Sequence, residues 1–170
     1  ANQYLHDKYK SKQDIYEFTG IVVEEITRLE RYLNEFLSFS RGVKPHMKKH
    51  DIQTFTTGIL MITKHNFPYG IKIVSEKPKL PDVYMDAEQM KQVMVNLLNN
   101  AKDATAGRSS PRVEIRLSSD DRYVYVKVAD NGCGISKKDL SRISTPFYTT
   151  KKEGMGIGLA ISRSIIKKHG

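Results

Sequence analysis

Between residues 15 and 41 apolar side chains recur in alternating steps of four and three, and no other feature restricts the fold as strongly. The stripe runs Ile15, Thr19, Val22, Ile26, Leu29, Leu33, Phe36 and Ser40, the repeat of one helix face. Phe18, Val23 and Leu37 widen it beyond a narrow two-stranded seam, which suits a bundle of helices. Glu24, Glu25, Arg28, Glu30 and Arg31 occupy much of the opposite face. Gly20 weakens the helix by about 1 kcal/mol relative to alanine, and Gly42 and Pro45 end it. A helix of this kind cannot bury its stripe alone. It needs a partner helix or a second copy of the chain. Ahead of it, residues 8–14 read as a polar loop with a helix cap, and the residues before that loop are expected to be the tail of an earlier helix. The chain would then begin part-way through an antiparallel helical hairpin.

After Pro45 the pattern changes. Residues 52–66 carry a second, less regular amphipathic helix, 71–74 alternate as a strand, Pro78 and Pro81 bracket a turn, and 83–85 suit another short strand. Asp86-Ala87-Glu88-Gln89 has the form of a capping box. It opens a helix through Val93, Leu97, Leu98 and Ala101 to about residue 104. Strands at 113–117 and 123–128 are joined by the polar segment 118–122, and a last helix spans 159–168. This order predicts an α+β fold, a two-layer sandwich with helices on one face of a mixed sheet. The expected domains are 1–44, the helical part, and 45–170, the sandwich.

Composition removes several classes. With 39% hydrophobic and 28% charged residues the chain is not of the disordered kind. No stretch approaches the roughly 20 apolar residues that cross a bilayer, so no membrane segment is expected, and the start lacks a signal peptide's apolar run. The one cysteine, Cys133, excludes an intrachain disulfide and a multi-cysteine metal site and fits a reducing cytoplasm. The net charge of +9 would suit nucleic acid, phosphate ligands or acidic protein surfaces alike. The lysine pairs 48–49, 137–138, 151–152 and 167–168 are scattered over the chain, not grouped on one face, so nucleic acid is not the expected partner.

Four segments carry the chemistry. In Asn96-Leu97-Leu98-Asn99-Asn100-Ala101-Lys102-Asp103, the residues Asn96, Asn100 and Asp103 share one helix face, where a divalent ion with phosphate oxygens would satisfy them. Taken alone, the face is equally an exposed amide surface. Asp130-Asn131-Gly132-Cys133-Gly134-Ile135 follows a strand; its glycines allow close approach to a flat ligand, and its aspartate can accept from an exocyclic amine. Taken alone, it is an Asn-Gly turn. Thr145-Pro146-Phe147-Tyr148-Thr149-Thr150-Lys151 is a polar loop holding one aromatic pair. Gly154-Met155-Gly156-Ile157-Gly158-Leu159 opens the last helix, where backbone N–H groups and the helix end favour an anion. Neither the P-loop nor the G-x-G-x-x-G dinucleotide spacing is present.

In order and spacing, the four segments together resemble the N, G1, F and G2 boxes of the ATPase superfamily that includes gyrase, the heat-shock chaperone ATPase, mismatch-repair ATPases and histidine kinases. The resemblance covers residues 52–170. It implies ATP and Mg²⁺ as cofactors and a flexible lid over residues 136–153. It makes Asn100 the principal Mg²⁺ ligand with Asn96 assisting, and Asp130 the adenine reader through N6. Gly132, Gly134 and Ile135 would wall the pocket, Phe147 would pack the lid, and Thr150 and Lys151 would lie near the phosphates. Gly154, Met155, Gly156, Ile157, Gly158 and Leu159 would form the phosphate-facing turn.

Hydrolases of the superfamily resemble one another in placing a glutamate at position 96, as general base for water. An amide cannot take that proton, and Asn96 resembles the histidine kinases. So does the helix before it, with Glu24-Glu25-Ile26-Thr27-Arg28-Leu29 and Leu37-Ser38-Phe39-Ser40-Arg41, which is similar to the second helix of the kinase dimerisation hairpin. Asp103, where many of these kinases carry a basic residue, and the Pro-Phe-Tyr-Thr-Thr-Lys lid resemble the nitrogen-regulatory branch. Asp103 is expected to support Mg²⁺ from behind its ligands. None of His6, His46, His50, His65 or His169 sits in the family's acceptor setting, so the acceptor is expected upstream of Ala1, with further strands after Gly170.

The resemblance therefore implies the cytoplasmic, ATP-dependent core of a protein-histidine kinase whose parent protein could be membrane-anchored upstream. It would dimerise through the N-terminal helix and serve a response regulator receiver domain, with Asn96, Asn100 and Lys151 as the catalytic set. Two rival readings remain: a serine kinase of the anti-sigma type, and a non-catalytic dimerisation and nucleotide-sensing module that docks a regulator.

Overall fold

The computed structural model describes residues 12–40, 44–151 and 154–170. The expected loop at 8–11, the earlier helix, the stop at Gly42, and residues 152 and 153 of the lid fall outside the described residues. The chain divides into two compact units, Ala1–Gly42 and Val43–Gly170.

The first unit contains α1, Lys12–Ser40, a single helix of 29 residues and about 44 Å long. Lys12, Gln13 and Asp14, expected in the loop, are already helical. Ile15, Ile21, Val22, Val23, Ile26, Leu29 and Leu33 are exposed, Leu29 by 62%. Thr19 and Thr27 return their hydroxyls to the carbonyls of Ile15 and Val23, and Arg28 pairs with Glu25 one turn away.

The second unit begins with β1, Lys48–His50, followed by α2, Ile52–Thr63, and a 3-10 turn at Lys64–Asn66. Then come β2, Lys72–Ser75; β3, Val83–Met85; α3, Ala87–Thr105; and the hairpin β4, Val113–Ser119, with β5, Val124–Asp130. A short α4, Lys137–Leu140, and α5, Gly158–Lys168, complete it. β2 runs parallel to β4, with Ile73 opposite Ile115, and β5 returns antiparallel, with Val128 opposite Ile115. The parallel pair requires a crossover, and α3 lies within that connection. The 83–85 strand does not join this sheet. It pairs with β1, Lys49 opposite Tyr84, as a separate two-stranded sheet.

Alternation along β4 turns Val113, Ile115 and Leu117 inward to 3% exposure or less. Ile52 and Ile59 of α2, and Met94, Leu98 and Ala101 of α3, meet them there. Each fully buried aliphatic side chain of this kind contributes about 1.5–3 kcal/mol. Glu114 and Arg116 project from the other face, paired with each other. A second, smaller cluster joins Val93 of α3 to Ile157, Ile161 and Ile165 around α5. α3 is common to both clusters.

The start of α3 is fixed from three directions. Asp86 accepts from the backbone N–H groups of Glu88 and Gln89 through Oδ1, and from that of His46 through Oδ2 at 2.8 Å. Its own N–H donates to His169 Nε2 at 3.0 Å, so Nδ1 carries the imidazole proton toward the Ile165 carbonyl. The His46 bond above all, then that from Gln89, holds the Asp86 carboxyl below its ordinary 3.8. A carboxyl lowered by folding contributes stability that is complete above its unfolded value and is lost as pH falls through the folded one. Asp86→Ala is therefore expected to cost about 1–2 kcal/mol at neutral pH. Urea titrations should show the difference from the parent shrinking below about pH 4, where the parent loses the same anchor.

Candidate functional site

One face of α3 carries Asn96, Asn100 and Asp103, and the structure gives them two different partners. The Asn96 amide nitrogen donates to Ser162 Oγ at 2.8 Å, and that hydroxyl donates to the Gly158 carbonyl at 3.0 Å. A Cβ on Gly158 would run into Asn96 Oδ1. Asn96 thus occupies the contact between α3 and the first turn of α5. Asn100 and Asp103 lie further along. Their Oδ1 and Oδ2 atoms converge on the Lys151 ammonium at 2.7 and 2.6 Å. Two hard oxygens already directed at one cation fit a divalent metal, and the amide of Asn96 is directed elsewhere.

The segment after β5 crosses the far end of α3. A Cβ on Gly132 would lie 2.5 Å from the Ala104 carbonyl oxygen, and the Cys133 N–H donates to that same oxygen at 3.0 Å. Glycine is needed because this backbone rests on α3. Asp130 accepts the Gly132 N–H at 2.8 Å, while Asn131 bridges to Arg112 and Ser110. The Asp130 carboxylate is exposed beside this turn, and so are Cys133, Gly134 and Ile135.

The lid segment is held by a knot of polar contacts. Ser136 caps α4 by accepting the Asp139 N–H and donates its hydroxyl to Asp139 Oδ2 at 2.7 Å. Tyr148 donates to Asp139 Oδ1 at 2.5 Å, and the Arg142 guanidinium lies 4.2 Å from the centre of the Tyr148 ring. The Tyr148 hydroxyl, then Ser136, lowers the Asp139 carboxyl below its usual range, and Asp139 in turn raises the Tyr148 phenol. Phe147, expected to pack this lid, adopts φ 67° and is 61% exposed. Gly156, at φ 67°, passes 2.5 Å from the Tyr148 carbonyl oxygen measured from where a Cβ would stand. Thr150 is exposed.

Within the glycine turn, Ile157 is fully buried and Met155 packs beside it, so both side chains serve the α3–α5 cluster. Of Ile157 only the backbone can face a ligand. Leu159 lines an apolar cavity of about 920 Å³ with Phe55, Met85, Met94, Val126 and Ile166. Leu97 is the other residue of the four segments that lines it. Sequence reasoning missed Ser162, Asp139 and Tyr148. Ser162 stands four residues after Gly158, and Ser136-Lys137-Lys138-Asp139 is itself a capping pattern. Tyr148 stands in the aromatic pair of the lid motif, but nothing local ties it to Asp139.

The profile of the family "Histidine kinase-, DNA gyrase B-, and HSP90-like ATPase" matches residues 85–170. A putative sensor histidine kinase NtrY-like of Rickettsia felis is 29% identical over 163 residues, covering 94% of this chain and 27% of that protein. The signal transduction histidine-protein kinase AtoS of Escherichia coli is 30% identical over 155 residues, 90% of this chain and 25% of that protein. The chain spans about a quarter of the length of these relatives. The catalytic domain of histidine kinase ThkA superposes with a TM-score of 0.66 at 25% identity, over 73% of this chain and 82% of that one. ThkA in complex with response regulator protein TrrA gives 0.76 at 23% identity, over 94% and 46%, a likeness of fold alone.

The close approach at Gly132 is measurable against a glycine without one. Gly132→Ala is expected to destabilise by about 1–3 kcal/mol through the clash with Ala104. Gly58→Ala, in the open middle of α2 with nothing within 4 Å, should stabilise by about 0.5–1 kcal/mol. Thermal unfolding of the two variants should shift in opposite directions.

Proposed function

Because the chain belongs to the histidine kinase-, DNA gyrase B- and HSP90-like ATPase family, we propose that it binds Mg-ATP and transfers the γ-phosphoryl group to a protein histidine outside residues 1–170. The observation that carries this reading is the convergence of Asn100 and Asp103 on one cation position beside the lid, next to an amide at position 96. The chemistry a divalent ion would supply at this position is positive charge for the phosphates. Asn100 and Asp103 would hold it, and Lys151 would lie against the phosphates. The backbone of 154–158 and the start of α5 would receive the anion. Asp130, fixed by the Gly132 N–H, would accept the adenine amine. Asn96 would keep α5 seated on α3 and, being an amide, would leave water without a base.

The same reading makes the open stripe of α1 a dimerisation face for a second copy, with Ile15, Val22, Ile26, Leu29 and Leu33 at the seam. The phosphoryl group would then pass to the receiver domain of a response regulator. A related fold has been seen with such a regulator, ThkA with TrrA. Among the described residues no helix is long and apolar enough to cross a membrane; the proposed setting is the cytoplasm.

Asn100→Ala is expected to lower phosphorylation of a supplied acceptor domain by about a hundredfold or more, and undiminished transfer would overturn the assignment. The phosphate on that domain should be acid-labile, as on histidine; an acid-stable product would favour the serine kinase. Cys133 offers a reporter, since it is exposed between Gly132 and Gly134. Its alkylation by iodoacetamide should slow when ATP is present, and an unchanged rate would place the base elsewhere.

A further inference from the structure

Lys151 reaches across from the lid to α3, 48 residues away in sequence, and places its ammonium between two oxygens of different residues. Its side chain is 41% exposed and that of Asp103 52%, so each could be hydrated independently, and ion pairs this open gain little energy by themselves. Asn100 adds the second contact. A carboxylate and an amide oxygen aimed at a single point form the beginning of a coordination shell for a hard cation. The ammonium occupies the centre of that shell.

We propose that Lys151 is a built-in counter-ion for the divalent-cation position formed by Asn100 Oδ1 and Asp103 Oδ2 in the nucleotide-free protein. With those two oxygens holding a divalent ion, the Lys151 ammonium would have to leave them and would then be free for the polyphosphate. Asp103 is on this view a direct ligand and not a support behind the ligands. Lys151 is a positioning residue that changes partners on loading. The inference rests on the Mg-ATP reading above, and it makes a demand that reading does not. Metal and lysine compete for the same two oxygens, so charge removed at 151 must favour the metal even when no nucleotide is present. If Lys151 served only to touch phosphate, its removal would leave metal binding unchanged. If it served only to hold the lid, its removal would loosen the site and weaken metal binding.

The test is a Mn²⁺ titration of the nucleotide-free protein, followed by the loss of the free-ion electron paramagnetic resonance signal. Lys151→Met should bind Mn²⁺ roughly three- to tenfold more tightly than the parent. Asp103→Asn should bind it more weakly by a similar factor. With both substitutions together, the gain from Lys151→Met should disappear, because the competition requires the Asp103 carboxylate. A second readout is ATP affinity in saturating Mg²⁺, which should fall in Lys151→Met while its Mn²⁺ affinity rises. Equal or weaker Mn²⁺ binding by Lys151→Met overturns the proposal, as does a gain that persists in the double variant. Failure of the parent protein to bind ATP would sink the functional reading instead, and the nucleotide-free titration is independent of that result.

Discussion

The sharing of α3 between two clusters organises this molecule. Met94, Leu98 and Ala101 bury one side of the helix against β4 and α2. Val93, with Leu97 beside it, buries a second side against α5. At 3.6 residues per turn, Asn96, Asn100 and Asp103 follow Val93 along the α5-facing side, Asn96 within that contact and Asn100 and Asp103 beyond it. Packing of the helix on both clusters keeps this row rigid, and a rigid polar row can hold a ligand in a defined geometry. The capping of α3 by Asp86, tied to His46 and His169, fixes the helix at its other end.

From that helix outward, glycines let separate loops press onto it. Gly132 lays the backbone after β5 across the Ala104 carbonyl, and Gly158 lets α5 begin against Asn96. Gly156 plays a related part in the glycine turn, passing close to the Tyr148 carbonyl of the lid. The glycine boxes are therefore joints before they are ligand contacts. Between the glycines, Ile157 is buried in the core and half-buried Met155 packs against the same cluster. The turn is anchored by its apolar side chains, which leaves its backbone as the surface available to an anion.

Much of this could be read from the sequence, and the exceptions share one cause. The periodic helices and the alternating strands β4 and β5 were legible because burial imposes their patterns locally. β1 was not, since Lys48-Lys49-His50 shows no apolar alternation and exists as a strand only because β3 pairs with it. The helical start at Lys12–Asp14 was hidden by polar residues that suit a loop as well as an exposed turn. Spacing found Asn96, Asn100 and Asp103, but it could not divide them between partners 66 and 48 residues away. Contacts of that range depend on how loops return, and no local pattern encodes them.

The division of that face bears on the chemistry. At position 96 a carboxylate could serve as a base, and the amide found there is usually read as the mere absence of one. The structure gives it a positive task, because its nitrogen donates to Ser162 while its oxygen lies against the space left by Gly158. A carboxylate has no hydrogen to donate to Ser162, and a longer side chain would press on the first turn of α5. On the proposed Mg-ATP reading, the residue that would leave water without a base is also the one that seats the turn at 154–158 on α3. Asn100 and Asp103 are left to the cation, one turn away, where Lys151 already marks the position with its own charge. On that reading amide and carboxylate would divide the labour along one helix: the first would set where the phosphates sit, and the second would gather the charge that neutralises them.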